Sequence, residues 1–375
     1  MLLIEADGKA LLRDAGIAVP DSVLLETPAP WAGAVPVMLK AQVPAGGRGK
    51  AGGVLRCATA AEVEPALHRL LGARISGHVV RACLLEAPAS GRECYLSIML
   101  DAAAGAARLT FIAEGGVEVE SQAASLGDHA SRLADLDTAS MNAALHAITA
   151  ALPADEAAAV RDLGARLISL FLAKELMLAE INPLFVDGGN AVAGDAKIVL
   201  DMNAIHRQPV LEAILRARPA IYADACRKLI EGFDYVEMDA EGRIGLITTG
   251  AGLSMALVDE MTARGARPLN FLDIRTSQLR GSPARLIRVM QWMAERPSLR
   301  VIFVNIFAGI TDQREFAGLL ADALDQAPVA GLPVVARLVG NGAAEASAAL
   351  AARRPDIAIF ADLEPALARV TALAA

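Results

Sequence analysis

The residues best suited to chemistry are concentrated in positions 40–53, which read K-A-Q-V-P-A-G-G-R-G-K-A-G-G. This stretch holds five glycines and three cations, Lys40, Arg48 and Lys50. Glycine lets the backbone approach a ligand closely and expose its N–H groups, and cations beside that backbone attract an anion. The pattern predicts a cover over nucleotide phosphates, and the alternative is a flexible basic hairpin. The glycine spacing fits neither a Walker A loop nor a dinucleotide-binding fingerprint.

A second group of polar residues lies in E-I-N-P-L, which begins at Glu180, and in G-D-A-K, which ends at Lys197. Their flanking apolar runs predict neighbouring strands of a hairpin, so Asn182 and Asp195 would present oxygen atoms from one sheet face. Mg2+ favours such ligands, usually one or two from the protein together with nucleotide phosphates and water. The sequence predicts a metal site at Asn182 and Asp195. The alternative is a turn asparagine and a surface aspartate.

The elements that must position these two groups form a first region of helices and antiparallel strands. Apolar positions at helical spacing predict helices at residues 4–15, 60–71 and 155–175. Single strands are predicted at residues 17–25, 35–40 and 108–113. Two hairpins are expected, residues 79–87 with 93–101 around P-A-S-G, and residues 177–185 with 191–201 around D-G-G-N.

After about residue 232 the pattern changes to buried strands that alternate with helices. Continuous apolar strands are predicted at residues 244–248, 301–307, 333–339 and 357–360. Each is followed by a loop of small residues and then a helix, which predicts a parallel, doubly wound sheet with anion-binding helix N-termini. We therefore predict an α/β protein with a mixed α+β nucleotide-binding domain over residues 1–232 and a flavodoxin-like domain over residues 240–375.

Composition narrows the classes of function. The chain has 375 residues, of which 54% are apolar and 21% charged, so it can bury large cores and is not expected to be disordered. Its net charge of −8 and the absence of a polybasic block argue against nucleic acid as a partner. The N-terminus does not read as a signal peptide, and the apolar runs are too short for a membrane span. Four cysteines without a C-x-x-C pair suggest reduced thiols, so we expect a cytoplasmic protein.

Taken in order, the motifs resemble the β subunit of succinyl-CoA synthetase, in the ATP-grasp group that includes malate–CoA ligase and ATP-citrate lyase. The resemblance covers nearly the whole chain and implies an ATP-grasp domain followed by a CoA-ligase domain. Its motifs are Glu5 and Lys9 in the opening helix, the glycine-rich stretch, L-L-E-A, G-R-E-C-Y-L, E-G-G-V-E-V-E, E-I-N-P-L, G-D-A-K, N-A-I-H-R-Q-P, G-A-G-L-S-M, N-F-L-D, V-N-I-F-A-G-I and L-V-G-N.

The resemblance implies a role for each matching residue of the first region. Lys40 matches a lysine that contacts nucleotide phosphates, and Glu86 matches a residue at the adenine and ribose end. Asn182 and Asp195 match the Mg2+ ligands, and Glu180 matches a glutamate that steadies a phosphohistidine when it visits the nucleotide. The full set that matches nucleotide-binding positions is Lys40, Gly47, Arg48, Gly49, Glu86 and Glu93.

The acid site implied by the resemblance departs from the family in this chain. Thr249 replaces the asparagine of N-G-A-G-L, Val339 replaces an acidic residue, and Arg275 begins a run of side chains where the family has three consecutive glycines. A guanidinium suits a carboxylate or phosphate. Two explanations stay open, a ligase for a different acid recognised by Arg275 or Thr249, and a paralogue whose acid site has decayed; Arg275 could also be a surface arginine. The segment that matches a helix start holding the acid or phosphate is Gly309, Ile310 and Thr311.

The resemblance also implies a reaction and a partner. In the family, a nucleotide phosphorylates a histidine of an α subunit, the phosphate passes to the acid as an acyl phosphate, and CoA displaces it. None of the five histidines here lies in a glycine-flanked loop of that type, so we predict an α partner that carries the phosphohistidine and the CoA-binding domain, in an αβ or (αβ)2 complex. Pro20 lies where ATP-preferring members of the family often carry proline, so the resemblance favours ATP over GTP. The alternatives are a malate–CoA or other acid–CoA ligase subunit, an ATP-grasp ligase that joins a carboxylate to an amine, and a non-catalytic subunit that binds Mg-ATP.

Overall fold

The computed structural model describes residues 1–114, 130–309 and 311–375. Ile310 and all but the first residue of the E-G-G-V-E-V-E motif therefore lie outside the described residues. The chain divides into two compact units, residues 1–222 and 223–375, and this division falls before residue 232, the predicted end of the first domain. Among the described residues, none of the helices combines the length and the apolar character needed to span a bilayer.

A four-stranded antiparallel sheet in the first unit carries the glycine-rich stretch. Its strands, in spatial order, are β1 (Ser22–Leu25), β6 (Cys83–Glu86), β2 (Val37–Ala41) and β3 (Val54–Cys57). Since β2 and β3 pair directly, residues 42–53 form the connection of a hairpin. Helix α2 (Ala60–Leu70) packs its apolar face on this sheet through Val63, Leu67 and Leu70. Helix α1 (Glu5–Asp14) precedes the sheet, and the short strands β4 (Arg74–Ile75) and β5 (His78–Val79) pair with each other.

A larger antiparallel sheet carries the second polar group. Its strands, in spatial order, are β11 (Asn190–Ala193), β10 (Leu176–Asp187), β7 (Arg92–Asp101), β8 (Ala106–Ile112) and β9 (Ser131–Ala134), and β12 (Lys197–Leu200) also pairs with β10. The predicted hairpin around D-G-G-N is thus confirmed. The helices of this part are α3 (Thr138–Ile148), α4 (Ala154–Ala173) and α5 (Pro209–Ala217).

The predicted pairing of residues 79–87 with 93–101 is wrong. Strand β6 pairs with β1 and β2, whereas β7 pairs with β8 and β10 in the other sheet. The P-A-S-G segment connects the two sheets because Gly91, with a φ of +132°, passes against the backbone of β10. A Cβ atom at Gly91 would lie 2.9 Å from the carbonyl oxygen of Val186, so only glycine fits this approach.

The second unit is built on a parallel sheet. Its strands, in spatial order, are β14 (Ile244–Thr248), β16 (Val301–Ala308), β17 (Val334–Gly340) and β18 (Ala358–Phe360). Strand β15 (Asn270–Asp273) pairs antiparallel with β13 (Asp234–Glu237) and follows the other edge of β14. There the Asn270 amide donates to the carbonyl of Leu246 at 3.0 Å and accepts from its N–H at 2.9 Å. With β15, a strand that the sequence did not predict, at this edge, the arrangement is flavodoxin-like, as was predicted for this domain.

Helices cover both faces of this sheet. Alternate residues of β16 divide between the faces, with Ile302 and Val304 in one apolar core and Val301 and Phe303 in the other. Helices α8 (Ala284–Ala294), α9 (Gln313–Gln326) and α10 (Ala343–Arg353) pack on the first face, and α7 (Ala251–Ala263) and α11 (Leu363–Ala374) on the second. Helix α6 (Ala223–Glu231) begins the unit. The doubly wound arrangement is thus confirmed.

Candidate functional site

A cleft of about 740 Å3 in the first unit brings together the predicted nucleotide and metal residues. The glycine-rich connection contributes one wall, and the larger antiparallel sheet contributes another. The predicted site residues that line the cleft are Lys40, Gly47, Arg48, Gly49, Glu86, Glu93, Glu180, Asn182 and Asp195. A cleft of this size holds a nucleotide-sized ligand.

The glycine-rich connection closes on itself by backbone hydrogen bonds. The N–H of Ala51 donates to the carbonyl of Gly47 at 3.1 Å, and the N–H of Gly53 donates to that of Arg48 at 2.8 Å. Gly47 has a φ of +70°, a conformation that favours glycine. A Cβ atom at Gly47 or Gly49 would meet no atom within 4 Å, so the glycines leave open space beside the Arg48 backbone.

A buried carboxylate at the start of α1 holds the cations of the cleft. The side chain of Glu5 has 0% exposure and lies 2.8 Å from the Nζ atoms of both Lys9 and Lys40. Its Oε2 atom lies 2.9 Å from the NH2 atom of Arg48. Although burial alone would raise the pKa of Glu5, the cations Arg48, Lys40 and Lys9 together hold that pKa well below its usual range. Glu5 is therefore a fixed anion for three cations.

Glu86 completes this network from the end of β6. One carboxylate oxygen accepts from Lys40 at 2.7 Å, and the other is ion-paired with Lys9. Both ammonium groups also donate to the carbonyl oxygen of Gly194, at 2.9 Å from Lys9 and 2.8 Å from Lys40. Burial opposes the charge of Lys40, but Glu5 and Glu86 prevail and raise its pKa. Lys40 and Glu86 are thus held in place by their ion pairs with each other and with the buried side chains of Glu5 and Lys9.

The two predicted metal ligands both face the cleft, but only one lies on a strand. Asn182 belongs to β10, at a point where the register with β7 shifts between Ile181 and Leu184. Asp195 lies in the connection between β11 and β12, which corrects the prediction that both residues lie on strands. The Asp195 carboxylate contacts the NH2 atom of Arg48 at 3.0 and 3.2 Å and accepts from the N–H of Ala196 at 2.6 Å. Burial and the nearby Glu5 raise its pKa.

Glu180 lies on β10 and faces the same cleft. Its carboxylate is 3.2 Å from the Nζ atom of Lys197, the residue opposite it on β12. The hydroxyl of Tyr95 on β7 donates to it at 3.4 Å. Two strands that flank β10 thus orient this carboxylate, with 16% exposure, toward the cleft. Neither Lys197 nor Tyr95 was assigned a role from the sequence.

Four of the predicted acid-site residues lie in loops after β14, β15 and β16 of the second unit: Thr249, Arg275, Gly309 and Thr311. Asp273, at the end of β15, accepts from the N–H of Gly250 at 3.0 Å and from that of Arg275 at 3.1 Å. The hydroxyls of Thr276 and Thr311 are hydrogen-bonded at 2.6 Å. Three loops are therefore tied together at the carboxyl edge of the sheet, the usual ligand-binding edge of this fold.

The guanidinium of Arg275 is already paired within the unit. It forms an ion pair with Asp234 on β13, and the backbone of Arg275 has a φ of +48°. Asp234 also lies 3.3 Å from the Nζ atom of Lys228. Of the other predicted residues, Thr249 is 9% exposed after β14, and Gly309 lies exposed after β16. A role for Arg275 in acid binding requires it to leave Asp234 or to share it.

Comparison with known proteins identifies the family. The family model of the ATP-grasp domain matches residues 2–186, and that of CoA-ligase matches residues 247–371. The succinate–CoA ligase [ADP-forming] subunit beta of Ignicoccus hospitalis is 35% identical over 387 residues, which cover 100% of this chain and 99% of that protein. Subunit beta 2 of the same ligase from Streptomyces coelicolor is 37% identical, with 94% and 92% of the two chains covered. The chain belongs to the succinate–CoA ligase β-subunit family.

A solved structure agrees with the fold of this family. The ATP citrate lyase of Methanothrix soehngenii, in complex with citrate and coenzyme A, matches with a TM-score of 0.63 at 18% identity. The match covers 96% of this chain and 95% of that one, so the shared fold extends over both units. The family models give their order, an ATP-grasp domain followed by a CoA-ligase domain. At this identity the likeness concerns the fold alone.

The donor set at Asn182 and Asp195 fits a magnesium ion. It offers a carboxylate and an amide oxygen at one cleft, next to cations that suit phosphate groups, which is the usual Mg2+ environment of a nucleotide site. In the described parts of the chain, no group of three or more His, Cys, Asp and Glu side chains is arranged to hold a metal.

The sequence patterns did not reveal the structural role of Glu5 and Lys9 in the cleft. Their signal was opposite charges at i and i+4 on the buried face of α1.

Proposed function

We propose that this chain is the nucleotide-binding β subunit of an ATP-dependent, ADP-forming acid–CoA ligase. The observation that carries the proposal is the cleft, in which Lys40 and Arg48 are held by buried Glu5 beside the oxygen donors Asn182 and Asp195. Family membership supports the reaction class, since the relatives are named ADP-forming succinate–CoA ligases. The nucleotide is ATP rather than GTP, and Mg2+ binds with it.

The residues of the cleft divide the work of phosphoryl transfer. Lys40, Arg48 and the open backbone at Gly47 and Gly49 bind the phosphates, where preorganised positive charge stabilises the transferring group. Mg2+, when held by Asn182 and Asp195, neutralises phosphate charge. Glu86 and Glu93 bind the rest of the nucleotide. Glu180, oriented by Lys197 and Tyr95, steadies the phosphohistidine of an α subunit.

The partner is an α subunit that carries this phosphohistidine and most of the CoA site, in an αβ or (αβ)2 complex. The acid binds in the second unit at the carboxyl edge of its parallel sheet, near Thr249, Arg275 and the segment at Gly309, Ile310 and Thr311. The acid is a small di- or hydroxy-carboxylate, and the Thr276–Thr311 hydroxyl pair keeps one proton available for an oxygen atom of such an acid. All four cysteines are unpaired and buried, which supports a cytoplasmic location.

The test is reconstitution with an α subunit of this family, co-expressed with the full chain. The complex should release ADP over many turnovers only when CoA and an acid are both present, over a panel that includes succinate, malate and citrate; without them it should release only the ADP that accompanies phosphorylation of the α histidine. Asp195→Ala should abolish phosphorylation of the α histidine by labelled ATP, whereas Asp187→Ala, an exposed carboxylate on β10, should not. Continued turnover of ATP to ADP without acid, beyond the ADP released by phosphorylation of the α histidine, or full labelling with Asp195→Ala, would refute the proposal.

A further inference from the structure

The carboxylate of the candidate metal ligand Asp195 already has a cation beside it. The NH2 atom of Arg48 lies 3.0 Å from Oδ1 and 3.2 Å from Oδ2 of Asp195, which is the position that a metal ion on both oxygens would approach. A guanidinium and a divalent ion cannot neutralise the same carboxylate in the same place, because both are positive. Metal binding at Asp195 must therefore move Arg48.

The same nitrogen of Arg48 contacts a second carboxylate. Glu5 Oε2 lies 2.9 Å from NH2, so the two carboxylates share one guanidinium nitrogen. They differ in exposure, since the Glu5 side chain is fully buried and that of Asp195 is 30% exposed. Asp195 can turn toward a ligand in the cleft, whereas Glu5 is fixed on α1 among its cations.

We propose that Arg48 is an exchangeable internal cation that neutralises Asp195 until a divalent ion replaces it, and that Glu5 is the positioning residue that keeps Arg48 in the cleft during the exchange. This inference rests on the proposed function, because it takes Asp195 as a metal ligand. No bond is made or broken, and the exchange swaps one cation for another on a carboxylate.

The exchange has an electrostatic consequence for the nucleotide. Before it, the cations Lys9, Lys40 and Arg48 face the carboxylates Glu5, Glu86 and Asp195, three against three. Once the metal takes Asp195, three cations face two carboxylates. The excess positive charge lies at Lys40 and Arg48, beside the open glycine backbone, where it favours the phosphates that arrive with the metal.

The test measures binding of Mn2+ alone to the full chain by electron paramagnetic resonance, without nucleotide. Arg48→Gln removes the competing cation and should tighten Mn2+ binding by about tenfold, the effect of losing one charged hydrogen bond. Arg48→Lys keeps a charge but lacks the planar guanidinium, so it should increase the Mn2+ affinity less than Arg48→Gln does. It replaces the Gln variant in the test if that variant does not fold. Arg56→Gln, which removes an exposed cation of β3 that does not line the cleft, should change the affinity less than twofold.

A double-mutant cycle tests the role of Glu5. Glu5→Gln leaves Arg48 with Asp195 as its partner and should weaken Mn2+ binding by about tenfold. In the Arg48→Gln background the same change should have little effect, because Glu5 acts through Arg48. If Glu5 affected Mn2+ only through the electrostatic field of the cleft and not through Arg48, the effects of the two substitutions would be additive.

The outcomes separate this inference from the proposed function. If Asp195→Asn binds Mn2+ as the unchanged chain does, the metal assignment fails. If Asp195→Asn loses Mn2+ but neither Arg48 variant tightens it, or if the Glu5 and Arg48 effects are additive, the exchange is refuted and the metal site stands.

Discussion

Replacing Lys9 by methionine should destabilise the first unit severely at neutral pH. The Lys9 side chain is 1% exposed and contacts Glu5 at 2.8 Å, Glu86, and the carbonyl oxygen of Gly194 at 2.9 Å. Methionine keeps an unbranched side chain of similar length but has no charge, so the change leaves three carboxylates of the network facing two cations. Removing one partner of a buried ion pair costs about 3–5 kcal/mol, because the remaining charge stays buried.

The pH dependence of this cost distinguishes charge from packing. In the unchanged chain the pKa of Glu5 is lowered, so its contribution to stability is present above the unfolded pKa of about 4.3 and lost as the pH falls toward the folded value. In Lys9→Met one of the attractions that lower this pKa is gone, and burial, which raises it, remains. Glu5 should then take up a proton at higher pH than in the unchanged chain. The difference in unfolding free energy between the two chains should therefore shrink as the pH falls from 7.5 to 4.5.

The assay is urea unfolding of the full chain, followed by circular dichroism at pH 7.5 and 4.5. Lys50→Met is the matched control, because Lys50 is exposed, and it should stay within about 0.5 kcal/mol of the unchanged chain. A Lys9→Met deficit below about 1 kcal/mol at pH 7.5 would show that the network does not hold Lys9 as a required charge. If the loss of unfolding free energy in Lys9→Met grew as the pH falls, the proposed link between Glu5 protonation and stability would be refuted.

Three further predictions concern single positions. Gly194→Ala should cost at least about 1–3 kcal/mol in thermal or urea unfolding, since its Cβ would overlap an aromatic ring and shift the carbonyl that binds two lysines, whereas Gly189→Ala, with no atom within 4 Å, should not. Arg275→Ala should change stability by less than about 1 kcal/mol, because the Arg275 side chain is 49% exposed and Asp234 keeps Lys228 as a partner, and it should raise KM for the acid without changing α-histidine phosphorylation. Glu180→Gln should slow α-histidine phosphorylation while leaving ATP affinity, measured by calorimetry, unchanged; an equal loss in Asp187→Asn would contradict a specific role.

The second unit could be predicted well because its signals are local. A run such as Val301–Ala308 is apolar on both faces, which only a strand covered by helices on both sides requires. Each following helix begins at a loop of small residues, so the doubly wound arrangement and the position of the loops followed from general rules. The pairing of the antiparallel strands in the first unit was harder to predict. A short P-A-S-G segment usually marks a hairpin, but Gly91 passes against β10, and that contact depends on a strand far along the chain.

The candidate site shows the same division between local and tertiary signals. The glycine-rich connection and the oxygen donors Asn182 and Asp195 were recognised by residue type, and the structure brings them to one cleft. The residue that holds the cations there, Glu5, lies on α1, and nothing in its neighbourhood along the chain predicts contacts to Lys40 and Arg48. Ion-pair partners across a fold cannot be read from sequence spacing, except at i and i+4.

The same physics explains why the two units tolerate change differently. In the network of the first unit, each charge is the partner of at least one other buried charge, so a single substitution leaves a charge buried without compensation. Arg275 in the second unit has an exposed pair with Asp234, and its loss costs little. The loop at Arg275 can therefore change with little cost to the fold, whereas the charges that hold Lys40 and Arg48 can change only together. The departure at Arg275 falls at such a low-cost position, whereas Thr249 is nearly buried, with 9% exposure.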